Sequence, residues 1–196
     1  EQGDEIFRDA DSIALEIDMD KEIVKRVFAF AEKYHKPVFA VVSNMSIAVE
    51  RRDFLRSCAC FVCNQQEAGI LFSEDYEGKT PAELETVLAH HVQAAALPGI
   101  VVTMGEQGAV YATLDGERGW CPAKRVDVKD TTGAGDAFFA GVTMGLTYGK
   151  TLAESCTIGA RLAASVICTS ENVCPRFLPS GLKAPDSDDG QLALEL

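Results

Sequence analysis

Apolar and polar positions along this chain follow two rhythms. Short, nearly unbroken apolar runs at 38–42, 58–63 and 100–104 read as strands buried on both faces, which show no polar alternation, and 12–17 reads as a further short strand. Longer stretches between them carry helical spacing. Residues 20–36 put Ile23, Val27, Phe30 and Ala31 on one stripe with charges opposite, and Pro37 ends the run. A short helix is expected at 47–55. Thr80-Pro81-Ala82-Glu83 and Thr151-Leu152-Ala153-Glu154 both fit the capping-box pattern, so helices should start there and run to about 95 and 168. After the break at Pro98-Gly99 and the strand 100–104, a turn at 105–108 leads into a strand at 109–114. Asp115-Gly116 is a hairpin signal before a further strand at 119–121. Residues 136–148 are apolar nearly all round, which predicts a helix buried in the middle of the domain. The alternation of strands and helices predicts an α/β fold with a mostly parallel sheet.

Composition bounds what such a fold can do. At 196 residues, 47% hydrophobic and 24% charged, the chain can bury one sizeable core. The expected domain spans 1–183, followed by an acidic tail at 184–196. A net charge of −12 argues against a nucleic-acid partner or an anionic membrane surface, either of which needs a basic face. No apolar stretch approaches the roughly 18 residues of a membrane span, and the first residues do not resemble a signal peptide. Seven cysteines, mostly in apolar segments, suggest free thiols in a reducing, cytoplasmic compartment. Cys58 and Cys60 are expected on one face of a strand and Cys63 on the other. With no second cysteine pair at zinc-like spacing, they read as small buried hydrophobes. His90 and His91 are adjacent on a helix without an i, i+4 partner and are expected at the surface.

The segment 130–141, Asp-Thr-Thr-Gly-Ala-Gly-Asp-Ala-Phe-Phe-Ala-Gly, is where candidate chemistry concentrates. Gly133 and Gly135 allow a tight turn that would leave the amides of Ala134, Gly135 and Asp136 open at a helix N-terminus, a place that attracts anions. A carboxylate there has two possible jobs. Asp136 could cap the helix, or take a proton from a hydroxyl attacking a phosphoryl group held by those amides. The dinucleotide fingerprint fails because Phe138 stands where its third glycine is required. Gly149-Lys150-Thr151 and Gly78-Lys79-Thr80 fail as Walker A loops because Met144 and Ser73 replace the first glycine.

The segment 130–141 resembles the C-terminal signature of the ribokinase-like carbohydrate kinases, the PfkB family. Two further motifs match that family in the same order: Asn64-Gln65-Gln66-Glu67 after an apolar run, and the stretch 101–109, Val-Val-Thr-Met-Gly-Glu-Gln-Gly-Ala. The resemblance implies a three-layer αβα, mostly parallel fold and an ATP-dependent phosphotransferase acting on a hydroxyl of a small sugar or nucleoside. It implies Asp136 as catalytic base, with Gly133, Ala134 and Gly135 forming the anion hole. Glu67 would hold Mg2+, most readily through water, and Asn64 a phosphate oxygen. Thr103, Gly105 and Gly108 would serve the nucleotide, with Arg161 and the stretch 170–175 as further nucleotide contacts. Asp130 and Thr132 match the positions whose carbonyls bind K+ in the family. Residue by residue, bland readings stay open: Asn64 and Glu67 also satisfy a capping box, and Arg161 also suits a surface. The segments around Asn64 and at 169–175 look somewhat like pseudouridine kinases. The family's N-terminal sugar-recognising strands and lid have no counterpart here, so the chain is expected to be the nucleotide-binding portion. A non-catalytic nucleotide-binding module, an incomplete kinase and a phosphate-binding domain of another class are the alternatives. Assembly as a homodimer is left open.

Overall fold

The computed structural model describes residues 2–43, 50 and 52–169. Six strands form one sheet in chain order: β1 (Ile13–Glu16), β2 (Val38–Val41), β3 (Cys60–Asn64), β4 (Gly99–Thr103), β5 (Ala109–Thr113) and β6 (Arg118–Cys121). The first four run parallel, and the hairpin β5–β6 adds two antiparallel strands. The carboxyl ends of β1 to β4 therefore share one rim with the start of β5 and the end of β6. That rim is where open α/β sheets gather ligands.

Helices cover both faces. On one lie α2 (Lys21–Tyr34), α3 (Arg52–Ser57), α4 (Gln65–Phe72) and α5 (Pro81–Ala95). Their Val24, Leu55, Leu71, Leu84, Leu88 and Val92 pack with Leu15, Ala40, Phe61 and Val102 of the sheet. On the other lie α6 (Ala134–Thr147) and α7 (Leu152–Ile167), whose Phe138, Val142 and Cys156 meet Phe39, Val62, Val101 and Tyr111. The central strands β2 to β5 are apolar on both sides because both sides are buried, as the runs without alternation predicted for β2 to β4, while the edge strands β1 and β6 keep exposed positions.

The capping boxes at Thr80/Glu83 and Thr151/Glu154 form as read, and both helices follow them. Several readings need correction. The α2 stripe is rotated: Val24, Val27, Phe28 and Ala31 face the core, while Ile23 is 47% exposed. Phe30 instead stacks on Phe7, with ring centroids 5.0 Å apart, because a helix not foreseen in the sequence, α1 (Gln2–Asp9), packs there. The helix expected at 47–55 appears at Arg52–Ser57, and the rest of that range lies partly outside the described residues. Cys58 precedes β3 and shares a core cluster with Cys63, whereas Cys60 faces the opposite one. His90 is exposed as expected, whereas His91 is partly buried: its ring stacks on Phe72 at 4.3 Å, and its Nε2 lies 3.1 Å from Glu74. Helix α6 is buried along one face only, through Phe138, Gly141, Val142 and Gly145, while Ala140 is exposed. Its apolar residues pack on α7 and the sheet on one side, and the described residues cover the other only in part. The tail at 184–196 and the stretch 170–175 lie outside the described residues.

Two helix directions position the chemistry. Near the end of α6, the Thr147 hydroxyl lies 2.7 Å from that of Ser12, just before β1. Helix α6 therefore runs antiparallel to the parallel strands and delivers its N-terminus to the carboxyl rim. Helix α7 runs the other way. Its first amides, Leu152 and Ala153, donate to the Glu117 carboxylate in the β5–β6 hairpin (3.4 and 3.0 Å), and the Ile167 carbonyl at its end accepts from Lys129 (2.8 Å).

Candidate active site

The loop leading into α6 is fixed before the helix begins. Lys129 and Asp130 both donate their amides to the Ile167 carbonyl, at 2.8 and 3.4 Å. The Asp130 carboxylate accepts the Thr132 amide at 2.8 Å, and that bond holds its pKa below the ordinary value of 3.8. Gly133 is the helix N-cap at φ 80°, a left-handed conformation that suits glycine, and no side chain caps the helix. Asp136 stands three residues into α6, so it is not the cap. Its carboxylate is exposed and has no hydrogen-bond or ion-pair partner among the described residues.

The three expected amides divide. Ala134 donates to the Thr131 carbonyl at 3.2 Å, closing the turn, while Ala137 donates to Gly133 at 2.9 Å. The amides of Gly135 and Asp136 remain without a protein partner among the described residues, next to the positive end of a 14-residue helix. A Cβ built at Gly135 would meet nothing within 4 Å, so the protein's own packing does not require glycine there. The space over those amides is open to a ligand.

Across the rim, Asn64 and Thr103 are register partners at the ends of β3 and β4, and Thr103 donates its hydroxyl to the Cys63 carbonyl at 3.4 Å. Asn64 and Glu67 form a complete capping box on α4: the Glu67 carboxylate accepts the Asn64 amide at 2.7 Å, and Asn64 Oδ1 accepts the Glu67 amide at 2.8 Å. The cap does not exhaust Glu67. Burial raises its pKa above the usual carboxylate value, against the lowering effect of the Asn64 bond, and the charge of Asp18 raises it further. Asp18 follows β1 on the same rim. Its Oδ1 is buried without a hydrogen-bond partner among the described residues. Two carboxylates that repel each other, one with an orphaned buried oxygen, form a donor set suited to a hard divalent cation. Sequence reading missed Asp18. The signal was its position, directly after an apolar strand at a carboxyl end.

The turn after β4 is a single 3-10 segment, Gly105–Gln107, with Gly105 and Gly108 at φ 57° and 98°. Gly108 has no room for a side chain, since its Cβ would lie 2.1 Å from the Cys121 carbonyl oxygen. The amides of Gly105 and Glu106 have no protein partner among the described residues. Arg161 lies in the second half of α7, partly exposed and engaged in an interaction of its own. The rim thus gathers Asp18, Asn64, Glu67, Thr103 and the 105–108 turn with the loop that carries Asp136.

Comparison with known proteins bears on the family and the fold. Residues 5–175 match the pfkB family carbohydrate kinases. Guanosine-inosine kinase of Exiguobacterium acetylicum is 34% identical over 163 residues, covering 83% of this chain and 53% of that protein. The ribokinase of Schizosaccharomyces pombe is 31% identical over 68% of this chain and 42% of its own length. Pseudouridine kinase of Escherichia coli is 30% identical over 61% of this chain. The chain thus spans about half the length of the curated relatives it matches. Among solved structures, a probable sugar kinase from Rhizobium etli superposes with a TM-score of 0.76 at 26% identity over 88% of this chain and 53% of that one. Arabidopsis thaliana ribokinase, complexed with ribose and ATP, superposes with a TM-score of 0.75 at 22% identity over 87% of this chain and 54% of its own, a likeness of fold. With the three motifs on one rim of a ribokinase-like α/β sheet and the match running through 171 of its residues, from 5 to 175, the chain belongs to the pfkB carbohydrate kinase family.

Proposed function

We propose that this protein carries the nucleotide and catalytic side of an ATP-dependent kinase that phosphorylates a hydroxyl of a sugar or nucleoside, with Asp136 as base. One observation carries the reading: a carboxylate at the third position of α6 without a partner among the described residues, beside two helix amides equally without one, at the carboxyl rim of the sheet. A helix cap would have engaged that carboxylate.

Each residue then has a task. Asp136 accepts the proton of the attacking hydroxyl as its oxygen bonds to the γ-phosphorus and the bond to ADP breaks. A modest base suffices, because the proton is lost late in a loose transition state. The amides of Gly135 and Asp136 donate to the phosphoryl oxygens, where charge shifts during transfer. Gly133 supplies the left-handed turn that aims them, and Ala134 closes that turn on Thr131. Asn64 meets a phosphate oxygen, and Thr103 with the turn Gly105 to Gly108 holds the nucleotide, with Arg161 contacting it from α7. Glu67, with Asp18 beside it, would hold Mg2+, which neutralises phosphate charge when bound. The carbonyls of Asp130 and Thr132 are candidate K+ ligands next to the amide pair. The buried thiols suit a reducing cytoplasmic setting, and no helix among the described residues is long and apolar enough to cross a membrane.

The name and coverage of the relative from Exiguobacterium favour a nucleoside acceptor, and the pseudouridine kinase likeness points the same way. Transfer from radiolabelled ATP to a panel of nucleosides and pentoses, with ATP binding measured in parallel, tests the proposal. Binding with transfer to a panel member supports it. Binding without transfer to any acceptor leaves a nucleotide-binding module, and binding of NAD in place of ATP would overturn the kinase reading.

A further inference from the structure

Trp120, the one tryptophan of the chain, lies on β6 opposite Val110 and is 49% exposed. Its neighbour Cys121 turns into the cluster under α6 and α7, so the indole stands on the other face of the sheet. Half of a large apolar ring is left in water there, and core burial does not account for the residue. Its polar edge does have a partner: Nε1 donates to the Gln107 carbonyl at 2.6 Å, reaching the tip of the turn that follows β4.

That turn needs an outside constraint. Gly105 and Gly108 both sit at positive φ, in backbone regions where glycine moves freely. Its other bonds are local: Gly108 donates to Gly105 at 3.1 Å, Gln107 to Met104 at 3.2 Å, and Met104 to Gly108 at 2.7 Å. Among the described residues, the hydrogen bond that ties its carbonyls to another element is the one from Trp120. The contact of Gly108 with Cys121 to Ala123 braces the same turn from the same strand end. With the Gln107 carbonyl occupied, the free amides of Gly105 and Glu106 are held in one orientation before any ligand arrives.

We propose that Trp120 is a positioning residue for nucleotide binding: its indole N–H locks the 105–108 turn in the conformation that presents the Gly105 and Glu106 amides. The proposal rests on the nucleotide-binding reading of that turn given above. Trp120→Phe keeps the ring and removes the donor. ATP affinity, measured by calorimetry with magnesium on the full chain, should fall about three- to tenfold, the range expected for one neutral hydrogen bond. The unliganded unfolding midpoint should stay within about 4 °C, since the ring remains in place. Because the parent has a single tryptophan, ATP should also produce a saturable change in its emission with the same midpoint as the calorimetric titration. If the parent binds ATP but its emission is flat and Trp120→Phe binds equally well, the positioning role is wrong and the nucleotide reading stands. If the parent binds no ATP, the reading beneath the proposal fails, and the proposal with it.

Discussion

Gly141→Ala tests whether the contact between α6 and α7 holds the loop proposed to be catalytic in place. A Cβ built at Gly141 falls 2.6 Å from Gly159 Cα, 2.7 Å from Gly159 N and 3.0 Å from the Ile158 carbonyl carbon. All three are backbone atoms of α7, so no side chain can rotate away. Ordinary carbon contacts lie at about 3.5–4.0 Å, which requires the two helices to part by about 1 Å. Separation would also loosen the contact of Gly159 with Phe138, where the reciprocal Cβ lies 2.7 Å from the Phe138 carbonyl oxygen. Overpacking of this kind costs about 1–3 kcal/mol. In a chain of this size each kcal/mol lowers the unfolding midpoint by about 2–4 °C. Asp136 lies five positions before Gly141 on the same helix, so the displacement reaches the residue proposed as base. A misplacement of about 1 Å can cost on the order of 100-fold in rate. Urea or thermal unfolding gives the stability change, and phosphoryl transfer in the active form gives the rate. Stability within about 0.5 kcal/mol of the parent, with unchanged transfer, would show that the helices do not meet as closely as described.

Glu117→Ala removes the carboxylate that accepts the first amides of α7 from the β5–β6 hairpin, and should cost about 1–2 kcal/mol in denaturant unfolding. No loss of stability would mean that Thr151 and Glu154 suffice to cap that helix. Glu67→Gln keeps an oxygen for the Asn64 amide but removes the charge. In the parent, burial raises the Glu67 pKa above 4.5, so the folded form takes up a proton more readily than the unfolded one. Its ionisation therefore lowers stability as pH rises through that raised value, and a bound cation should relieve the penalty. The magnesium-dependent rise in the unfolding midpoint, measured with ATP, should grow across this pH window in the parent and shrink in the variant. Equal magnesium shifts in both would leave Glu67 as a helix cap alone.

Much of the fold was legible because its signals are local. Apolar runs on both faces marked β2, β3 and β4, and two Thr-x-x-Glu boxes marked the starts of α5 and α7 to the residue. What escaped depends on distant contacts. The stripe on α2 turned because α1 claims Phe30, and α6 is half-buried because helical periodicity records hydrophobicity but not which neighbour meets it. The left-handed turn at Gly133 and the helix start before Asp136 were legible through glycine spacing. Asp18 was not, since its meaning comes from a neighbour 49 positions away, Glu67, across two strands. The division of labour among the loop amides was equally hidden, because the bond from Ala134 to Thr131 is a property of the folded turn.

The central claim is that the open carboxylate of Asp136 is the proton acceptor. Asp136→Asn preserves its size and its place on α6 and removes only the basicity. ATP should bind the variant with about the parent affinity while phosphoryl transfer, in the form of the protein that is active, falls by about 10²–10⁴-fold. Transfer at the parent rate would contradict the account.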